Sequence, residues 1–175
     1  MEGWRQVRQG LGAPLVCDVL AVPHHGGSLD GRRHHAEDYD WLYREAIRCA
    51  TAVVSVGTNN RWRHPLPLHI DAVRRCGAKV MCTQVTRHCC DDLERLRPGV
   101  RSPHVPGAAK PSESRSAAGW SRHVACAGSV LVEISPDVIH VERLDEHQSA
   151  VDALCVTGGH PLCRTGTQPH SAIVA

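Results

Sequence analysis

Two short stretches of the chain concentrate side chains able to bind a metal or an anion. The first is Pro23-His24-His25-Gly26-Gly27-Ser28. Neutral imidazole is a good ligand for zinc or manganese, and the end of a strand would hold it rigidly. Adjacent side chains on extended backbone point to opposite sides, so only one of His24 and His25 need face a metal. The other would orient it or contact substrate. The two glycines permit a tight turn and close backbone approach. A pair of solvated loop histidines is the plainer alternative, and for an arbitrary His-His pair it is the favoured one.

The second stretch is Gly57-Thr58-Asn59-Asn60-Arg61-Trp62-Arg63-His64-Pro65. Asn and His at a strand exit can hydrogen-bond a phosphate or carbonyl oxygen, and Arg61 and Arg63 favour an anionic substrate. The alternative here is an Asn-rich turn with surface arginines. A third constellation is built on sulfur: Cys82 with Cys89 and Cys90, then, after a long intervening segment, His123-x-x-Cys126. Ligand pairs flanking a loop follow the logic of a structural zinc. The opposing reading, equally weighted, has Cys82 and Cys126 as core fillers with Cys89 and Cys90 incidental. Cys155, His160, Cys163 and His170 fall in a Gly-rich stretch and read as no more than adventitious ligands, while Cys17, Cys49 and His140 read as strand or core residues.

The elements that must position these residues can be read from hydrophobic pattern. Leu15 to Val22 is a short apolar run bounded by Pro23 and Gly26-Gly27, the mark of a buried strand ending in a sharp loop. Leu42, Ala46, Ile47 and Ala50 share one helical face, which predicts a helix over Asp38 to Ala50. A second strand, Ala52 to Val56, leads into the Asn-rich loop. A helix from Leu68 to Cys76 is closed by Gly77, and a third strand runs from Ala78 to Cys82. Strand, helix, strand, helix, strand implies a mostly parallel sheet with right-handed crossovers. Both polar loops then leave the carboxyl ends of parallel strands, the rim at which open α/β sheets bind ligands.

Residues 1–96 thus form a strand-helix-strand-helix-strand core. Residues 97–124, rich in Pro, Ser, Gly and Ala, read as a flexible insertion. Residues 125–157 read as a terminal hairpin (Ser129 to Ile134 with Val138 to Leu144) followed by a short helix at Asp145 to Leu154, and 158–175 as a disordered tail. The 175-residue chain fits one domain, and its 42% hydrophobic and 22% charged composition is that of an ordinary globular protein. A net charge of +2 does not argue for a nucleic-acid partner by itself. No apolar run reaches the roughly 20 residues of a membrane span. There is no signal-peptide pattern, and nine cysteines, an odd number, argue against a disulfide framework, so a cytoplasmic location is the expectation.

Three motifs in order, Asp18-Val19-Leu20-x-Val22-Pro23-His24-His25-Gly26-Gly27, Val53-Val54-Ser55-Val56-Gly57-x-x-Asn60-x-x-x-His64-Pro65, and Gly77-Ala78-Lys79-Val80-x-x-Thr83, closely resemble the C-terminal part of the metallo-β-lactamase-like domain of the ComEC competence protein family. The resemblance covers residues 15 to 83, with a looser match at Gly128 to Glu142. It implies an α/β fold: the C-terminal half of a metallo-β-lactamase αββα sandwich, with a mixed sheet, flanking helices and a terminal β-hairpin. It implies zinc or manganese held in part by His24 or His25, with the catalytic candidates His64 and Asn60 bordering the substrate pocket and positioning or protonating the substrate, and Ser28 where relatives often have Ser or a small residue; Asn59 and Arg61 are the further candidate substrate contacts. A bound water made nucleophilic by such a metal would hydrolyse a phosphodiester or related bond, with nucleic acid a plausible substrate. The resemblance also pairs the Cys-Thr-Gln at 82–84 with the Ala-Cys-Ala-Gly at 125–128.

The family's main ligand cluster, a His-x-His-x-Asp-His-like motif, is absent from this sequence, and a catalytic zinc needs about three protein ligands. The expectation is therefore a fragment, a truncated reading frame or one half of a split enzyme, inactive alone. It would be completed by an N-terminal half or by homo-oligomerisation that covers an exposed apolar sheet face. The alternative is a non-catalytic remnant or binding module that keeps a structural zinc. A DNA-binding module built on the cysteines is disfavoured, because no concentrated basic helix is present.

Overall fold

The computed structural model describes residues 1–29, 35–58, 60–90, 126–127, 130–142, 147–148, 151–152, 154–155 and 159–164. The chain begins with α1 (Glu2–Leu11), whose Trp4 packs on the core while Arg5 lies 4.7 Å over the ring of Trp41. Strand β1 (Leu15–Ala21) follows, then a tight turn at Pro23–Gly26. Helix α2 (Ala36–Trp41) widens into a π-helical turn, Leu42–Ala46, which runs directly into β2 (Ile47–Val54). Helix α3 (Pro67–Arg75) and β3 (Lys79–Cys82) complete the first unit. The short strands β4 (Val132–Ile134) and β5 (Ile139–Val141) form an antiparallel pair, and residues 147–148, 151–152 and 154–155 are helical.

The fold is mixed α/β. Its three-stranded sheet has the order β1-β2-β3 and is entirely parallel, with Leu15 opposite Ile47, Ala21 opposite Val53 and Val54 opposite Cys82. The mixed sheet expected from the sequence is not formed among the described residues, where β4 and β5 pair only with each other. Strand β2 is central. Ala52 and Val54 are fully buried against Leu42, Tyr39, Tyr43, Ile70 and Val73, which come from α2, the π turn and α3. Edge strand β1 leaves Val16 76% exposed, so apolar surface does remain uncovered on it.

Helical periodicity misplaced one boundary. The expected helix over Asp38 to Ala50 stops at Ala46, and the strand expected from Ala52 begins at Ile47. Ile47, Cys49 and Thr51 gain parallel partners in Leu15, Cys17 and Val19, and that ladder outweighs a continued helical stripe. The π turn absorbs the change, and it places Tyr43 on the buried side. The stretch 97–124, expected as an insertion, lies outside the described residues. Residues 159–164, expected within a tail, are packed: Leu162 and Cys163 are buried and His160 N–H donates to Cys89 O at 2.8 Å.

Candidate functional site

Strands β1 and β2 are neighbours and parallel, so the loops after them emerge side by side at one rim, and they touch. The contact depends on Gly26 and Gly27. Gly26 has φ +74, and a Cβ there would sit 2.5 Å from Pro65 Cβ; a Cβ on Gly27 would sit 2.5 Å from His64 Cε1. Only glycine lets the first loop lie against His64-Pro65, which is joined by a cis peptide bond. Leu66 N–H then donates to Gly26 O at 2.8 Å.

His24 and His25 do not continue the strand. Both have left-handed backbone, φ 51 and 54, so the alternation expected of extended neighbours does not apply. Each ring is nevertheless oriented in the same way. His24 Nδ1 is 2.7 Å from Ser28 O, and His25 Nδ1 is 2.7 Å from Ser55 O. A carbonyl only accepts, so a neutral ring carries its proton on Nδ1 and keeps its lone pair on Nε2. This is the arrangement that orients metal-ligating or proton-accepting histidines. The rings of His24 and His64 meet edge to face with centroids 5.1 Å apart. A cleft of about 260 Å³ opens beside them, lined by His25, Ser55, Gly57, Asn60, Trp62 and His64.

Asn60 lines the cleft and also organises its own loop. Its Nδ2 donates to Gly57 O at 2.7 Å and to His64 O at 2.8 Å, while Oδ1 accepts from His64 N–H at 2.6 Å. Both donors are used within the loop, so Asn60 shapes the loop and positions His64. Ser28 is 7% exposed, and its Oγ has no hydrogen-bond partner among the described residues. It is not among the residues that line the cleft. Arg61 is exposed and stacks 4.4 Å over Trp62 at the cleft mouth. Asn59 lies outside the described residues.

Sequence reasoning missed two supports. His69 on α3 is fully buried beneath the glycine turn. Its Nδ1–H donates to Gly27 O at 2.8 Å, which leaves Nε2 to accept the Tyr43 hydroxyl proton. Burial lowers the His69 pKa to about 4 and raises that of the Tyr43 hydroxyl. His69 is thus a neutral bridge from the π turn to the glycine loop. A histidine inside an apolar helix face, two residues after the helix-starting Pro67, offered no sequence signal of its own. The second support is Thr83-Gln84 after β3. Thr83 Oγ1 donates to Val56 O and accepts from Val56 N–H, both at 2.9 Å, and Gln84 Oε1 accepts from Thr58 N–H at 2.8 Å.

The sulfur residues lie behind this second support. Cys82, Cys89 and Cys126 are buried; Cys126 N–H donates to Thr83 O and Ala127 N–H to Cys82 O. Cys90 is half-buried against the core, and His123 lies outside the described residues. Cys163 is also buried, with its Sγ 3.0 Å from that of Cys82. Among the described residues no group of three or more His, Cys, Asp or Glu side chains is already placed to hold a metal ion. Comparison of the chain with models of protein families, with curated proteins and with solved structures finds no match. Among the described residues no helix is long and apolar enough to cross a membrane.

Proposed function

We propose that this chain carries part of the active-site rim of a metal-dependent hydrolase of the metallo-β-lactamase type, acting on phosphodiester or related anionic bonds, in the manner of the ComEC-like domains it resembles. The observation that supports this reading most is the joined loop pair. Two imidazoles whose Nδ1 atoms are pinned on carbonyls lie at the same rim as His64, whose backbone Asn60 holds, and His25, Trp62 and His64 line a cleft with Arg61 stacked on Trp62.

These imidazoles are not gathered into a metal shell: among the described residues no group of three or more possible ligands is placed to hold an ion. The metal, zinc or manganese in this reading, needs further ligands from a complementing half-domain or a second copy of the chain, and no chemical step is assigned to it here. What the chain's own residues do is more limited. Arg61 attracts the anion, Trp62 offers an apolar wall, and Asn60 fixes the loop so that His64 faces the cleft. The left-handed turn presents His24 and His25 with Nε2 available.

Binding of bis(4-nitrophenyl) phosphate, followed by quenching of tryptophan fluorescence, tests the reading. Saturable quenching that is lost in Trp62→Phe and weakened in Arg61→Ala is expected, with no nitrophenolate released by the chain alone. Quenching indifferent to both substitutions would remove the cleft from consideration. Turnover by the chain alone would overturn the claim that the centre is incomplete.

A further inference from the structure

Cys82 and Cys163 stand 81 positions apart in the sequence, yet both are buried and their Sγ atoms are 3.0 Å apart. Non-bonded carbons settle at about 3.5–4.0 Å, and sulfur is a larger atom, so this contact is closer than apolar packing requires. Cys89, also buried, instead sets its Sγ 3.6 Å from Thr86 Oγ1. From the paired sulfurs we infer that Cys82 and Cys163 are a redox modification site: peroxide joins them in a reversible disulfide that locks residues 159–164 to the end of β3.

Backbone bonds on both sides hold the sulfurs together. Cys82 closes β3, paired with Val54. Its N–H donates to Nε2 of buried His147 at 3.4 Å, and its O accepts from Ala127 N–H at 2.9 Å. Across the contact, Gly159 N–H donates to Leu154 O and His160 N–H to Cys89 O, both at 2.8 Å. Gly159 lies so close that a Cβ there would meet Cys89 O at 2.9 Å. The turn closed by Arg164 N–H on Pro161 O then carries Cys163 back to Cys82. Cys163 thus reaches Cys82 from a segment docked independently of the sulfurs.

The chemistry balances with one molecule of hydrogen peroxide. One of the two thiols attacks a peroxide oxygen: the S–O bond forms, the O–O bond breaks, and the departing hydroxide leaves with the thiol proton as water. The second sulfur, already in contact, attacks the sulfenic sulfur: the S–S bond forms, the S–O bond breaks, and the hydroxyl leaves with the second thiol proton as water. Two thiols lose two electrons and the peroxide gains them. A disulfide holds its sulfurs about 2.05 Å apart, so the pair closes by about 1 Å from its present contact. The segment 159–164 is short, and its brief local opening admits a molecule as small as peroxide. A dithiol reductant reverses the bond by exchange. In the reducing compartment expected from the sequence, such a bond is transient and redox-sensing, not part of a permanent framework. Thr83 and Gln84 follow Cys82 directly and hold the loop after β2, so the lock lies next to the support of the rim.

The test uses the full chain, purified reduced, freed of reductant and treated with hydrogen peroxide at low protein concentration. Remaining thiols are alkylated in denaturant, and the peptides are mapped by mass spectrometry. A cross-linked pair joining Cys82 to Cys163 is expected, lost again on treatment with dithiothreitol. Closing a loop of this length should raise the midpoint of thermal unfolding by about 10 °C. Cys163→Ser should abolish both the cross-link at Cys82 and the rise, and Cys155→Ser should keep both. Should Cys163→Ser fail to fold, the peptide map of the native chain still decides. Cys82 joined to any other cysteine, or Cys82 and Cys163 both recovered as alkylated thiols after other cysteines have reacted, would overturn the proposal.

Discussion

His69 offers the sharpest physical test of how the rim is supported. The ring is fully buried, and its pKa falls from 6.5 to about 4 because burial disfavours the imidazolium. Above pH 6.5 the ring is neutral in both folded and unfolded chains, and it contributes no pH dependence. Between pH 6.5 and about 4 only the unfolded chain takes up the proton, so stability falls as the pH falls, and below about 4 the loss is complete. A shift of roughly 2.5 units corresponds to about 3 kcal/mol, a large part of the 5–15 kcal/mol typical of a domain. The informative variant is His69→Asn. It keeps a donor for Gly27 O but does not titrate, and it leaves the Tyr43 hydroxyl unpartnered, at a cost of about 1–3 kcal/mol near neutral pH. Urea unfolding of both proteins from pH 7.5 to 4.5 should show that deficit at neutral pH shrinking steadily in acid, and changing sign if the native protein loses the full 3 kcal/mol. A deficit constant across this range would refute the burial argument. So would an imidazole titration in the native protein that places His69 near 6.5.

Other outcomes follow from the same contacts. Gly26→Ala should lower stability by about 1–3 kcal/mol, because its Cβ meets Pro65 at 2.5 Å on a left-handed backbone, and Gly27→Ala should in addition displace the His64 ring, visible as a shifted imidazole resonance. Thr83→Val keeps the shape but strands Val56 N–H and O, and chemical denaturation should record a loss of about 1–3 kcal/mol. Asn60→Asp retains the acceptor for His64 N–H but removes both donors, so hydrogen exchange of the 57–64 loop should accelerate while that of the β2 core does not.

Much of the frame was legible from pattern alone. Parallel β1, β2 and β3 follow from apolar runs separated by helices, and the meeting of the two loops follows from their leaving adjacent parallel strands. The boundary at Ile47 was not legible, since Ala46 and Ile47 continue the stripe of α2 and only pairing with β1 marks where the strand begins. Local sequence left Asn60 open between a substrate contact and an Asn-rich turn, because an Asn reads alike whether it faces substrate or its own backbone. Cys163 was hidden by its Gly- and Pro-rich neighbours, and its segment is packed by contacts made about 80 residues earlier, Cys163 Sγ meeting that of Cys82 and His160 N–H reaching Cys89 O. The paired imidazoles were found by residue type, yet their orientation came from left-handed backbone that the sequence hints at only through Gly26-Gly27.

The claim that His24, His25 and His64 form one metal-facing rim is tested most directly by paramagnetic broadening with Mn²⁺, read on the imidazole resonances of ¹⁵N-histidine-labelled protein. The account predicts selective, saturable broadening of these three rings, with His140 and His160 unaffected and with the effect lost in the His24→Ala, His25→Ala double variant. Broadening spread evenly over the histidines, or undiminished in that double variant, would contradict it.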